Sequence, residues 1–520
     1  GIKAAKGDYV LLLNNDTVMT RGWLTGMREV LERYPDAGVV GPMTNSASGV
    51  QVVPDAGYSA LESLCSWAEE FRERNRYRVI HQRRIVGFCM LFRRELIEKV
   101  GLLDETFGAG NYEDDDFCLR AELAGFRNLI AGDVFIHHEG GATFAGNHML
   151  RGGQNLKNRA KFRQKWEPAT LEESVLRNWL VLNAIEESEI KAQQGNLDSA
   201  IGILLNRGIK ITPNNSAPYF KLAELLIASE RYDDALQVFP EMPSDTDQSL
   251  LKAFEATCHA GLGHDGEAYT AAKFAEKGES VKSPALVVLG TLAARSGDSK
   301  QAESRFRSAI DHDPACDGAW LSLGMLLWGN GEQEAAWNAI SRAFTINPIS
   351  NQAQNIFREL VFRLGKEKEV TQILAEASAI WPNSISLSRM HAGMLADRGL
   401  INESLAVCEK HLSKFNVDEQ ILQLAMDSRN DFGKSGVPLD KTSTGISVCM
   451  IVRDEAANLG RSLASVKPVV DEMVVVDTGS TDRTVDIAAA FGAKVTSFVW
   501  TDDFSAARNF ALSKATGRMI

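Results

Sequence analysis

"AWLSLGMLLWGNGEQEAAWNAISRAFTINP" (residues 319–348) reads as two helices hinged on a glycine. Apolar residues recur at helical spacing on both sides of Gly331, a residue type that takes left-handed turn geometry without strain. Ala336, five residues on, is small enough for the second helix to lie close against the first, and Pro348 ends the pair. The unit recurs. Gly195, Gly263, Gly297, Gly331, Gly365 and Gly399 stand 34 residues apart, or twice that between the first two, where Ser229 takes the slot. Ala200, Ala268, Ala302 and Ala336 follow four of these glycines by five residues, and Pro314, Pro348 and Pro382 keep the same step. Helix pairs on such a period cannot bury their apolar faces alone and must stack.

This pattern resembles the tetratricopeptide repeat. It covers roughly 180–420 in about seven units, which implies an all-α solenoid able to take a protein partner. The flanks follow a different rhythm. "DYVLLLNND" (8–16) and "AGVVGP" (37–42) precede the array, and "ISVCMIV" (446–452), "EMVVVD" (472–477) and "AKVTSFVW" (493–500) follow it. These strand-like runs alternate with helical patterns, which predicts a parallel α/β sheet. The polar, glycine-containing "DFGKSGVPLDKTSTG" (431–445) predicts a linker between array and C-terminal flank.

Composition narrows the partners. The 520 residues carry 56 basic and 68 acidic side chains, a net charge of -12, which argues against nucleic acid or anionic membrane as the main partner. Seven scattered cysteines (65, 89, 118, 258, 316, 408 and 449) form no paired motif and read as reduced thiols of a cytoplasmic protein. No apolar run approaches the roughly 18–20 residues of a membrane span, although peripheral association at the inner face stays open. Neither an initiator Met nor a signal peptide is present, so the chain is expected to be a piece of a longer one.

In the C-terminal flank, "VVVDTGSTD" (474–482) places Asp477 at the carboxyl end of a buried strand, where open α/β sheets bind ligands. "IVRDE" brings Asp454 and Glu455 to the same edge; a solvated turn capped by Ser480 and Asp482 is the plainer reading of these residues. Together with "WTDDFSAARNFAL" (500–512), these motifs resemble the nucleotide-binding N-terminal half of a family-2 glycosyltransferase with the GT-A fold, closest to the lipopolysaccharide-core glucosyltransferase branch. The resemblance implies that Asp477, Asp454, Glu455 and Ser480 face the nucleotide, with Arg508 in the segment approaching the donor phosphates.

The N-terminal flank resembles the other half of that fold, in its rhamnosyltransferase-like branch. "YVLLLNNDTVMTRGWL" (9–24) stands in the place of the family's D-x-D motif, implying Asp16 and Asn14 as holders of Mg²⁺ or Mn²⁺, although Asn14 brings no charge. "EDDDFCLR" (113–120) resembles the acceptor-site motif and implies Asp114 as the base, with Glu113 and Asp116 beside it and Arg120 toward the acceptor. Mutual repulsion in this acidic run would hold one carboxyl pKa up; an acidic helix N-terminus favoured by the dipole is the plainer reading. "IHHEGGATF" (136–144) has His138 where the resemblance implies a histidine near the donor diphosphate, as a third metal ligand or a phosphate contact, with His137 expected to face the other way. Gly87, Phe88 and Cys89 fall where the family lines its acceptor pocket, Asp104-Glu105 is a further landmark, and Trp23 is read as core.

The expected architecture is therefore residues 1–165 as the metal and acceptor half of one transferase domain, 180–420 as repeats, and 446–520 as the nucleotide half of a second. "ALSKATGRMI" (511–520) follows the plan of "GIKAAKGDYV" (1–10), with Gly517 in the place of Gly7, as expected for one period of a longer transferase–repeat–transferase chain. A permuted enzyme whose two halves dock is the alternative. The expected activity is inverting, metal-dependent sugar transfer from a nucleotide-sugar donor to a glycan or protein acceptor in bacterial surface-polysaccharide or glycoprotein synthesis. The competing expectation is a repeat-based scaffold with inactive flanks.

Overall fold

The structure is a computed structural model that describes residues 1–53, 56–108, 111–139, 151–278, 281–415, 417–435 and 445–519. It divides into two compact units, Gly1–Leu364 with Ala379–Asn383, and Gly365–Ser378 with Ser384–Ile520.

In the first unit, strands β1 (Tyr9–Leu13), β2 (Thr17–Val18), β3 (Ala37–Thr44), β4 (Val79–His81), β5 (Cys89–Arg93) and β6 (Arg127–His138) form one sheet in the order β1-β5-β3-β6-β2, with β4 also on β6. Only β3 and β6 pair in parallel; β1 with β5, β3 with β5, β2 with β6 and β4 with β6 are antiparallel. The expected parallel sheet is thus corrected here to a mixed one, because β5 returns against both β1 and β3. Side-chain alternation feeds two cores. Val39, Phe92 and Ile130 join Phe71 of helix α2 (Leu64–Asn75) and Phe117 of α4 (Glu113–Leu123), whereas Val40, Leu91 and Leu129 join Met27 and Leu31 of α1 (Trp23–Arg33). Trp23 packs against that second core, as its expected role requires. A short helix, α3 (Arg94–Val100), follows β5.

Helix α5 (Arg151–Lys165) leads to the array, whose first helix is α6 (Glu173–Gln193). Five helix pairs follow among the described residues of this unit, from Glu173–Gln193 with Leu197–Ile203 to Asp317–Gly329 with Gln333–Ile346. The glycine slots take positive φ, Gly331 at 85° among them. In the second pair the left-handed residue is Glu230 (φ 58°), not Ser229, so the repeat gains one residue there and the fully buried small residue becomes Ala235. Farther along, Arg342 donates to the carbonyls of Glu73, Arg74 and Arg76 at the C-terminal end of α2, and Arg78 donates through Nε to Thr345 O (2.9 Å).

The second unit holds the pair Ile385–Asp397 and Ile401–Lys414, the helix Glu419–Ser435, and a parallel sheet in the order β7 (Ser447–Val452), β8 (Glu472–Asp477), β9 (Lys494–Ser497). Val475, with Leu459, Leu463 and Ile487 of the sheet's helices, shares one core with Cys408, Leu412 and Ile421 of the repeats. A side chain on Gly460 would stand 2.4 Å from Leu412 O, so only glycine allows that helix crossing. Helix Glu419–Ser435 runs into the first residues of the expected 431–445 linker, and 436–444 lie outside the described residues. Met519 makes a parallel bridge with Ile446, alongside β7.

Candidate functional site

Three clusters can be built from these elements. The first lies where β1 ends. Asn14 N donates to Phe88 O (2.8 Å), fixing the strand end, and the chain then turns so that Thr17 pairs with His138. Asp16 Oδ1 stands 3.3 Å from His138 Nε2, with both side chains about nine-tenths buried. The ring of His138 is held from three directions: Nδ1 lies 2.7 Å from Ser46 O, Phe88 stacks at 4.9 Å, and the main chain exchanges hydrogen bonds with the Asn45 amide. A carbonyl oxygen can only accept, so Nδ1 carries the proton and Nε2 of the neutral ring presents a lone pair. With the ring in that tautomer two acceptors stand 3.3 Å apart, and neither has a hydrogen-bond partner. A cation between them, or a second proton on the ring, is what this arrangement demands. The donor set, one carboxylate and one imidazole oriented by a carbonyl, fits Mg²⁺ or Mn²⁺ completed by phosphate and water oxygens. Asn14 sits exposed beside it. Among the described residues no group of three or more His, Cys, Asp or Glu side chains gathers for a metal.

His137 turns to the opposite side, where its Nδ1 meets Tyr58 OH at 2.5 Å and its Nε2 meets Glu139 at 3.3 Å. Residues 140–144 of the "IHHEGGATF" stretch lie outside the described residues.

The second cluster is the acidic start of α4. Tyr112, in left-handed geometry, turns the chain into the helix. Asp114, 7% exposed, accepts from Gly87 N (2.8 Å) and from Asp115 N (3.0 Å). A side chain on Gly87 would stand 3.2 Å from that carboxylate, so the glycine lets Asp114 approach the backbone. Burial pushes the Glu113 and Asp115 carboxyls up, Asp115 to about 6, with the charge of Asp114 adding to the effect and Arg84 opposing it. The sequence pattern passed over Asp115 and Arg84, yet Arg84 Nε pairs with Asp115 Oδ1 at 3.1 Å, and its Nη2 stands 4.0 Å from Asp114 Oδ2. Only the run of acids itself signalled Asp115; nothing in the sequence marked Arg84.

Asp116 and Arg120, expected in catalytic and acceptor-binding roles, are both tied into the surrounding scaffold. Asp116 is fully buried and accepts from Arg120 Nε (2.8 Å), Lys165 Nζ (2.7 Å) and Trp166 Nε1 (3.0 Å). Arg120 spends its remaining donors on the Val100 and Leu102 carbonyls. Lys165 also pairs with Asp104, whose carboxyl its ammonium holds well below the usual range, so the "GLLDETF" loop latches α5 to α4. Phe88 and Cys89 are buried, so their side chains pack the core instead of lining an open pocket.

The third cluster is in the second unit, at the carboxyl ends of β7 and β8. Asp477 is 6% exposed and accepts from the Gly479 and Ser480 amides of its own turn. Asp454, at φ 52°, accepts from Thr481 N (2.7 Å), while its own N–H donates to Ser480 Oγ (2.9 Å). Glu455 N donates to Thr484 Oγ1 (2.7 Å) and Ala456 N to Asp482 Oδ2 (3.1 Å). Asp454, Glu455, Asp477 and Ser480 are thereby gathered on one sheet edge, and the turn-capping role of Ser480 and Asp482 is present together with that placement. Arg508 is exposed on the helix Phe504–Lys514, whose Ala511 packs beneath Val474 and Val476.

Comparison with known proteins covers Asp16 and the third cluster, whereas α4 and His138 lie outside the matched residues. The family model described as glycosyl transferase family 2 matches residues 1–101 and 447–520, and a tetratricopeptide-repeat model matches 287–348. A TPR repeat-containing protein of Synechococcus elongatus is 61% identical over 75 residues, 14% of this chain and 19% of its own. An uncharacterized glycosyltransferase of Rickettsia felis is 51% identical over 55 residues, 11% of this chain and 19% of its own. The chain thus spans about 19% of the length of these curated relatives. Among solved structures, MamA is 20% identical and covers 31% of this chain and 94% of its own, at a TM-score of 0.23, too low to bear on the fold. No described helix is long and apolar enough to cross a membrane. The chain carries glycosyl transferase family 2 sequence at both ends, flanking a tetratricopeptide-repeat region.

Proposed function

We propose that this chain contributes to an inverting, metal-dependent glycosyltransferase that moves a sugar from a nucleotide-sugar donor to a glycan or protein acceptor. The observation that carries the reading is the pair of unsatisfied, buried acceptors Asp16 Oδ1 and His138 Nε2, 3.3 Å apart, at the end of β1. A bound Mg²⁺ or Mn²⁺ would supply charge neutralisation for the leaving diphosphate. Asp16 and His138 would hold it, with Asn14 offering a neutral carbonyl oxygen beside them.

Asp114 is the candidate base. Each of its oxygens keeps a lone pair beyond the backbone bond it accepts, so one can take the acceptor hydroxyl's proton while the oxygen attacks the anomeric carbon and the sugar–phosphate bond breaks. The hydrogen bonds from Gly87 and Asp115 hold the carboxylate in one orientation for that transfer, which is worth rate because a misdirected base loses its advantage. In the C-terminal part, Asp454, Asp477 and Ser480 form the proposed nucleotide contacts, with Arg508 near the phosphates. The domain reading follows: a metal and acceptor half, an array that docks a partner or spaces the sites, and a nucleotide half. A cytoplasmic setting at or near the inner membrane face, in surface-polysaccharide or glycoprotein synthesis, belongs to the same proposal.

Hydrolysis of a nucleotide-sugar donor in the presence of Mn²⁺ tests it. Asp114→Asn and Asp16→Ala are each expected to reduce turnover by roughly 10²-fold or more. Unchanged turnover in both variants would reject these site assignments, whereas no turnover in the parent protein would favour the scaffold reading, in which the flanks only support the repeats.

A further inference from the structure

We propose that the cleft between α4 and the first helices of the array is a binding site for a neutral saccharide acceptor, so that the repeat region builds one wall of the acceptor site. This rests on the transferase reading above. The cleft measures about 930 Å³, and is walled by Arg84 and Asp115 on the transferase side, Phe162 and Trp166 at the end of α5, and Trp179 and Asn183 on α6. That volume lies within the roughly 300–1,000 Å³ of small-ligand pockets, enough for a disaccharide.

The lining chemistry selects the ligand class. Two indoles and a phenyl ring offer flat apolar faces for the C–H face of a sugar ring, and the neutral amides of Gln82 and Gln164 offer donors and acceptors for hydroxyls. The Asn183 amide, held by Arg83 (2.9 Å) and by its own bond to Trp179 O (2.8 Å), keeps one N–H and one lone pair. The charges at the rim balance: Arg83 pairs with Glu186 (2.5 Å) and Arg84 with Asp115 (3.1 Å), while Arg163 and Glu167 add one charge of each sign. A cleft whose charges are internally compensated attracts a neutral polar ligand more than a phosphorylated or strongly charged one. It is also preorganised. Trp166 is oriented by its indole N–H bond to buried Asp116, and Phe162 packs against Tyr112 at 5.6 Å. Asn158 ties α5 to the Phe107 and Asn111 carbonyls at 2.7 and 3.0 Å. Arg84 links cleft and chemistry, since its guanidinium reaches from Asp115 toward Asp114.

The test is saturation-transfer NMR on the 520-residue chain, without metal or donor, using maltose, lactose, chitobiose and a rhamnosyl-rhamnose disaccharide as probes. At least one disaccharide is expected to bind with its ring protons against aromatic side chains. Trp179→Ala, and the gentler Asn183→Ala should the first fold poorly, are each expected to weaken it by about tenfold. Asp16→Ala should leave it intact. Binding by none of the four, binding of unglycosylated peptides only, or an unchanged affinity in both correctly folded cleft variants would overturn the proposal. Turnover and Mn²⁺ binding that stay unchanged in Asp16→Ala would strike the metal reading and leave the cleft standing, so the two fail separately.

Discussion

Asp115 sits at the N-terminus of α4 with its side chain 20% exposed, beside two other carboxyls and one guanidinium. Its folded-state pKa of about 6 lies above the roughly 3.9 of an unfolded chain. Between those values the native state keeps a proton the unfolded state has lost, so stability falls as pH rises from about 4 to about 6. Asp115→Asn should flatten that slope and, at pH 7.5, stabilise α4 by up to about 2 kcal/mol, less the lost Arg84 pair. Hydrogen exchange of the α4 amides at pH 4.5 and 7.5 would show this; an unaltered slope would contradict it. Glu230 makes a second residue-scale case. A non-glycine residue held at φ 58° carries a steric penalty of roughly 1–2 kcal/mol, so Glu230→Gly is expected to stabilise the second helix pair by about 1 kcal/mol in thermal melts. Sequence reading placed that turn at Ser229 because strict 34-residue counting cannot see a one-residue insertion. It also assigned Asp116 to chemistry, since an acid in a motif looks the same whether it faces substrate or, as in the structure, the ammonium of Lys165. The meeting of Asp16 and His138 was foreseen only through resemblance: they are separated by more than a hundred residues, and the β2–β6 register that joins them leaves no local mark.

At the scale of elements, the first sheet is mixed because β5 runs back between β1 and β3. Strand-like runs alone do not report direction, which is why the parallel expectation held for β7–β9 and failed for β1–β6. The repeats were legible because glycine, alanine and proline recur on a fixed step. How they clasp their neighbours was not, since such contacts use single residues. Arg342 shows the size of one such contact. It caps the C-terminal carbonyls of α2, where a cation also meets the negative end of the helix dipole. Burial among those carbonyls and the charge of Arg76 lower its pKa. Arg342→Ala should cost about 2 kcal/mol, seen as faster hydrogen exchange at the end of α2 with little change in the preceding repeats. Equal exchange in variant and parent would show that the cap is idle.

At the scale of the molecule, transferase and repeat elements share cores within each unit. In the first, Asp116, Lys165 and Asp104 fasten α4 to α5, Arg78 reaches Thr345 of the fifth helix pair, and Arg342 of that pair reaches back to the end of α2. In the second, Leu412 and Ile421 of the array lie in the same core as Val475, and Glu409 pairs with both Arg429 and Lys467. Within each unit the repeat helices and the neighbouring sheet are thus joined by side chains drawn from both. The account depends most on the cation site at Asp16 and His138. Mn²⁺ binding to the chain, followed by electron paramagnetic resonance, tests it directly. One site is predicted, with affinity reduced at least about tenfold in both Asp16→Ala and His138→Ala; equal binding by the parent chain and both variants would contradict the account.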